Sequence, residues 1–173
     1  MEVVQPAMHD FFRKTAIIEK ELGRRKMAPN SFFHYLVHDI TDRIYDFVHK
    51  KVWGVIKEEF RFHEHRGNIY NLVDNIKPFM DVTYIGAEGW KLPGEIMEMF
   101  ASGVNSFVIM QPFGCLPNHI TGRGMIKTLK KLCPGSQIIA LDYDPDTSIG
   151  NVENRLQMLI INAREIENPD KIA

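Results

Sequence analysis

Apolar residues recur every three or four positions through the first half of the chain. In the second half they fall in short runs separated by glycine and proline. Phe11, Phe12, Ile17, Ile18 and Leu22 keep helical spacing, and Gly23 marks the expected stop. Met27-Ala28-Pro29-Asn30-Ser31 reads as a break. Asn30 or Ser31 is placed to cap a second helix, because a short polar side chain can satisfy the free N–H groups of a first turn. Phe33, Leu36, Val37, Ile40, Ile44, Phe47, Val48, Val52, Val55, Ile56 and Phe60 then hold a period near 3.6. That spacing predicts a long helix with one interruption near Gly54. Gly67-Asn68 punctuates, and residues 69–76 predict a further helical piece ending before Pro78.

From Met80 the pattern changes. Residues 81–85 predict a short strand or an extended lead-in. Residues 92–100 predict a helix stopped by Ser102-Gly103, and 106–110 a strand whose apolar run from 107 to 110 reads as buried. A helix over 120–132, stopped by Pro134-Gly135, leads to a strand over 137–142 and a long helix over 149–166. Such alternation with short links implies parallel strands joined by right-handed crossovers. The expected fold class is α/β: a small Rossmann-like parallel sheet with flanking helices over 80–173, preceded by an all-helical part over 1–79. Two or three strands leave an unpaired edge of backbone donors and acceptors. The sheet is therefore expected to be completed by another segment or another chain.

Composition narrows the function classes. The 173 residues are 45% apolar and 25% charged, a globular balance long enough to bury a core. A net charge of -1 gives no electrostatic case for nucleic acid or an anionic membrane. The basic clusters Arg24-Arg25-Lys26 and 127–131 have acids nearby and read as solvated helix faces. No run approaches the roughly 20 apolar residues of a membrane span. The first residues lack the basic-then-apolar layout of a signal peptide. Two cysteines beside nine methionines do not make a secreted disulfide scaffold, so the cytoplasm is the expected compartment.

Candidate chemistry centres on the run Gln111-Pro112-Phe113-Gly114-Cys115-Leu116-Pro117-Asn118-His119. Loops leaving parallel strands are where open α/β sheets place ligands. A thiolate there can bind a soft metal centre or act as a nucleophile. The plain alternative is a structural cysteine. Cys133, beside Pro134-Gly135 and without a partner at motif spacing, reads as structural. No CxxC pair occurs, which excludes a zinc ribbon or a thioredoxin-type dithiol. His119 can line the same loop as a ligand or supporting donor. With Cys115 it also suggests a cysteine hydrolase, although no third orienting group is in view.

Gly122-Arg123-Gly124, at the expected opening of the next helix, can present N–H groups to an anion or simply allow close packing. It matches neither a Walker loop nor Gly-x-Gly-x-x-Gly. The acids from Asp142 to Glu153 imitate a calcium loop, but Thr147 stands where the turn needs glycine and a strand pattern precedes them. Asp146, Thr147 or Ser148 is expected to cap the last helix instead. Glu88 and Glu95 could act as paired carboxylates, though Glu95 also suits a first helical turn. His34 and His38 share a helix face but show no acidic third ligand in sequence. His63 and His65 cannot share one.

Three blocks of this kind, in order, carry a resemblance. They are Gly86-Ala87-Glu88-Gly89-Trp90 with Leu92 and Gly94-Glu95, then the Cys115 run with Gly122-Arg123-Gly124-Met125, then Asp142-Tyr143-Asp144-Pro145 with Asn154-Arg155. Together they resemble the C-terminal region of proteins related to 2-hydroxyacyl-CoA dehydratase activases, which is similar to the dehydratase subunits. The resemblance covers a little under half the chain. It implies a reductive system in which an ATP-dependent iron–sulfur activase passes an electron to a dehydratase with a [4Fe-4S] cluster between Rossmann-like lobes.

In that setting Cys115 is the implied cluster ligand, and His119, Gly122 and Gly124 line the cleft. Cluster sites use several thiolates, so the remaining ligands are expected from other parts of a longer chain or from a partner subunit. The alternative expectation is a cluster-free module that binds a nucleotide or CoA fragment or assembles subunits, a homo-oligomer included. The acyl substrate, and activity of this chain alone, are left open.

Overall fold

The computed structural model describes residues 3–6, 8–56, 69–84, 86 and 88–167. The chain divides into two compact units, Met1–Lys91 and Leu92–Ala173. In the first, α1 (Met8–Arg24) packs along α2 (Ser31–Ile56), and α3 (Ile69–Ile76) follows. The backbone carbonyl of Asn30, a residue at φ 47°, accepts the His34 N–H at 3.0 Å and so opens α2. Gly23 has a packing role: a Cβ there would lie 2.8 Å from the Tyr35 backbone nitrogen, so the two helices meet backbone to backbone. α2 continues through Gly54 without the expected interruption, because that glycine sits on an open helix surface with nothing pressing on it. Phe60, His63, His65 and Gly67-Asn68 lie outside the described residues.

The inward face of α2 is polar. Asp42, almost fully buried, accepts from Arg13 Nε at 2.8 Å, from Lys20 Nζ at 3.4 Å and from the Tyr70 hydroxyl. Lys20 also pairs with Asp39 at 2.8 Å. Burial opposes its charge, yet the bonds to Asp39 and Tyr70 hold its pKa above the usual lysine range. The apolar stripe read from the sequence is helical as expected but faces outward. Phe33, Leu36, Val37, Ile40, Ile44, Phe47, Val48, Val52 and Val55 are all exposed. Buried ion pairs with α1, not apolar contact, select the face that α2 turns inward. The apolar core of this unit forms from Ile17, Ile18, Ile69, Leu72, Val73 and Ile76 together with Val82 and Trp90.

Residues 81–84 make a turn, where a short strand or an extended lead-in was expected, for a local reason. Asp81 Oδ1 accepts both the Thr83 N–H at 2.8 Å and the Thr83 hydroxyl at 2.7 Å, which folds the backbone on itself. Glu21 is held down to about 2 from an ordinary 4.5, first by the Arg24 side chain and then by Arg25, against the opposing effect of burial. A depressed carboxylate stabilises the fold above its unfolded pKa and loses that contribution as pH falls through the folded one. The thermal midpoint is therefore expected to hold above pH 4.5 and to drop between there and pH 2. Glu21→Gln should flatten that part of a calorimetric pH series.

The second unit contains α4 (Lys91–Ala101, from Leu92 onward), β1 (Ser106–Pro112), α5 (Ile126–Leu132), β2 (Gln137–Tyr143) and α6 (Ile149–Glu167). Gly103, at φ 96°, ends α4: its N–H bonds the Phe100 carbonyl and the Val104 N–H reaches Met99, a left-handed stop that favours glycine. The strands pair in parallel from Ser106↔Gln137 to Pro112↔Tyr143. This is an α/β arrangement of helices with a two-stranded parallel sheet among the described residues. Among the described residues each strand has one neighbour.

Phe107 and Ile109 of β1 and Ile138 and Ala140 of β2 face Ile96 of α4 and Leu129 of α5. Residues 107–110, read as wholly buried, instead alternate. Phe107 and Ile109 are enclosed, while Val108 and Met110 are exposed on the other face. Adjacent side chains of a strand point to opposite faces, and only one face of β1 has helices against it. No helix among the described residues is long and apolar enough to cross a membrane.

Candidate functional site

β1 ends in a tight turn. The Cys115 N–H bonds the Pro112 carbonyl at 3.1 Å, and Gly114 sits between them at φ 65°, in the left-handed region that favours glycine. A helical run starts at once, with the His119 N–H on the Cys115 carbonyl at 3.1 Å and a wide π-type turn over Asn118–Gly122. Two buried polar groups hold the turn. Gln111 Nε2 donates to the Asn118 carbonyl at 3.0 Å, and the Thr121 hydroxyl donates to the Pro117 carbonyl at 2.8 Å. Asn118 Nδ2 donates to Cys115 Sγ at 3.3 Å. The thiol is half-buried and unbridged, and His119 is exposed one turn further on. Phe113, Leu116 and Ile120, its near neighbours in the chain, are apolar and exposed.

Cys115 and His119 thus share a turn. Gly122 lies deeper, where a Cβ would sit 3.0 Å from Ile109 Cγ2, so its smallness lets the helical run close on the sheet. Gly124 is exposed, with the His119 carbonyl 3.2 Å from where its Cβ would be. The helical run opens at Leu116, well ahead of Gly122-Arg123-Gly124, and the Arg123 N–H is engaged by the Asn118 and His119 carbonyls. Helical N–H groups point back along their own run once a full turn precedes them. The sequence pattern signals a helix near Ile120 but not the π-type turn that moves its start.

The loop leaving β2 borders the same end of the sheet. Arg123 Nη2 pairs with Asp142 Oδ2 at 2.8 Å and ties the two loops together. The Thr147 hydroxyl accepts the Asp144 N–H at 2.9 Å and donates to the Asp142 carbonyl at 3.3 Å. Thr147 therefore closes its own loop, and Ser148, whose carbonyl accepts from Asn151 and Val152, begins α6. The acids from Asp142 onward have no calcium-loop geometry here, since the first of them is spent on Arg123. Glu88 precedes α4 and Glu95 lies past its first turn.

A cluster ligand set can be tested on the thiols. Cys133 is 1% exposed, and burial pushes its pKa up. It closes α5 just before β2 begins, whereas Cys115 follows the end of β1. The strands are parallel, so the two cysteines flank opposite ends of a sheet about 20 Å long at roughly 3.3 Å per residue. This chain thus offers one thiolate at the Cys115 site. That fits one ligand position of an iron–sulfur cluster and not a complete set. An open hollow of the second unit lies at the other end of the sheet from Cys115, lined by Lys130, Ser136, Gln137, Asn162 and Glu165 at the start of β2. Sequence reasoning missed Gln111, although a glutamine at the parity of Phe107 and Ile109 in an apolar strand is a legible sign of a buried polar contact. Comparison with protein-family models, with curated proteins and with solved structures gives no match to this chain.

Proposed function

We propose that the second unit is a Rossmann-like lobe of a protein related to 2-hydroxyacyl-CoA dehydratase activases. It contributes one wall and the Cys115 thiolate to a [4Fe-4S] site used in electron transfer. The carrying observation is that Cys115 stands half-exposed and unbridged beyond the C-terminal end of a parallel strand. The Asn118 amide N–H on its sulfur supports the reading, since donors to a ligating sulfur tune iron–sulfur centres. So does the exposed apolar rim of Phe113, Leu116 and Ile120, which suits a surface covered by another protein segment that keeps water from a cluster. His119 and the exposed backbone at Gly124 line the same wall, with Gly122 beneath them against the sheet. The other thiolates come from further parts of a longer chain or from a partner subunit, and an ATP-dependent activase supplies the electron. When bound, the cluster stores and releases one electron, and the residues here hold and shield it.

The second reading is a cluster-free assembly module, favoured by the outward apolar stripe of α2. Patches of that length rarely stay bare on a monomer. Anaerobic purification of the assembled protein with iron and sulfide assays separates the two. Cys115→Ser is expected to lower iron content and alter the electron paramagnetic resonance spectrum. Unchanged iron and an unchanged spectrum would leave the assembly reading in place.

A further inference from the structure

We propose that Glu19, His34 and His38 form a binding site for a divalent transition ion of the zinc class, built across α1 and α2. His34 and His38 lie one turn apart on α2, with ring centroids 4.6 Å apart and planes inclined by 53°. The acid next to them in sequence, Asp39, is turned to Lys20 and Arg43. The fold supplies one from α1: Glu19 Oε2 stands 2.8 Å from His34 Nε2. One ligand atom from each of the three residues lies within 4.8 Å of the other two.

The donor set decides the ion class. Two imidazole nitrogens and one carboxylate oxygen suit zinc and its first-row neighbours. Calcium and magnesium prefer all-oxygen shells, and Cu(I) prefers sulfur. Bonds of about 2.1 Å in a tetrahedron place ligand atoms about 3.4 Å apart. The Glu19–His34 contact therefore opens slightly on binding while His38 swings inward. Glu19 and His34 keep about a quarter of their side-chain surface exposed, which leaves room for both movements and a fourth position for water. The cation next in sequence, Lys20, is held by Asp39 and Asp42, so it does not compete for Glu19. Because the ligands come from two helices, the ion staples α1 to α2.

The test uses the full chain in a Cys115→Ser background, which removes the accessible thiol and separates this site from the cluster proposal. Protein stripped by chelator is titrated calorimetrically with zinc chloride alone, and cobalt(II) absorption is recorded in parallel. The expected result is one ion per chain, a thermal midpoint that rises with zinc, and tetrahedral cobalt bands. His38→Ala and, separately, Glu19→Gln should each weaken binding at least tenfold with circular dichroism unchanged. His34→Gln serves as a third variant if either fails to fold. Absence of saturable uptake, or equal affinity in the folded variants, would overturn the site and leave Glu19 and His34 as a plain hydrogen-bonded pair.

Discussion

Asp42→Ala is expected to destabilise the helical unit by roughly 3–5 kcal/mol, seen as a lowered denaturation midpoint in far-ultraviolet circular dichroism. The magnitude follows from burial. Asp42 and Arg13 expose 5% and 6% of their side chains, so removing the carboxylate leaves a buried guanidinium with the longer, 3.5 Å contact to the partly exposed Asp46 in place of its close partner. Lys20 and the Tyr70 hydroxyl lose the same acceptor. Arg43→Ala is the matched control. Arg43 pairs with Asp39 at 2.8 Å, as short as the buried pair, but is 79% exposed. Solvent screens such a pair, and its loss should leave the midpoint unchanged. If the two variants behave alike, burial does not set the strength of this network. A change in Asp42 also removes the main polar reason for α2 to keep its apolar stripe outside.

How far the chain could be read before folding differs between its two units. In the second, local signals agree with packing. Glycines close α4 and α5, apolar runs mark both strands, and Ile96 and Leu129 appear at helix positions that meet the sheet. In the first, spacing identifies α2 as a helix but misplaces its inner face. Periodicity reports which residues share a side, not which side a neighbouring helix takes. Here α1 offers Arg13 and Lys20, whose burial is tolerable only against Asp39 and Asp42. The partners are 29 and 19 residues apart in sequence, beyond any local pattern.

The site shows a similar division. The position of Cys115 after a strand is legible because strand, glycine and proline signals are local. The 3.3 Å donation from Asn118 and the pin from Gln111 depend on a π-type turn that no spacing rule announces. Glu19 remained invisible as a companion of His34 because it arrives from another helix. Val108 and Met110 illustrate the converse. Their run looks like a core strand, yet one of its faces meets no helix, so half its apolar character lies on the surface.

Thiol labelling should divide the two cysteines sharply, and the division bears on function. In native protein a small alkylating reagent is expected to modify Cys115 readily and Cys133 slower by about a thousandfold or more, read by mass spectrometry of digested peptides. Cys133 is sealed at 1% exposure with its pKa raised by burial, so its thiolate forms and meets reagent only when the unit opens. Cys115 needs no such opening, because the residue is only half-buried at the end of β1. Equal rates in folded protein would mean that α5 and β2 do not enclose Cys133, and a slow Cys115 would mean that its loop is closed. The same measurement on the anaerobically assembled protein carries the argument further. A cluster ligand is covalently occupied, so Cys115 should become protected there while Cys133 keeps its slow rate. A Cys115 equally reactive in both states would remove it from any ligand set and leave its loop as a docking lip alone.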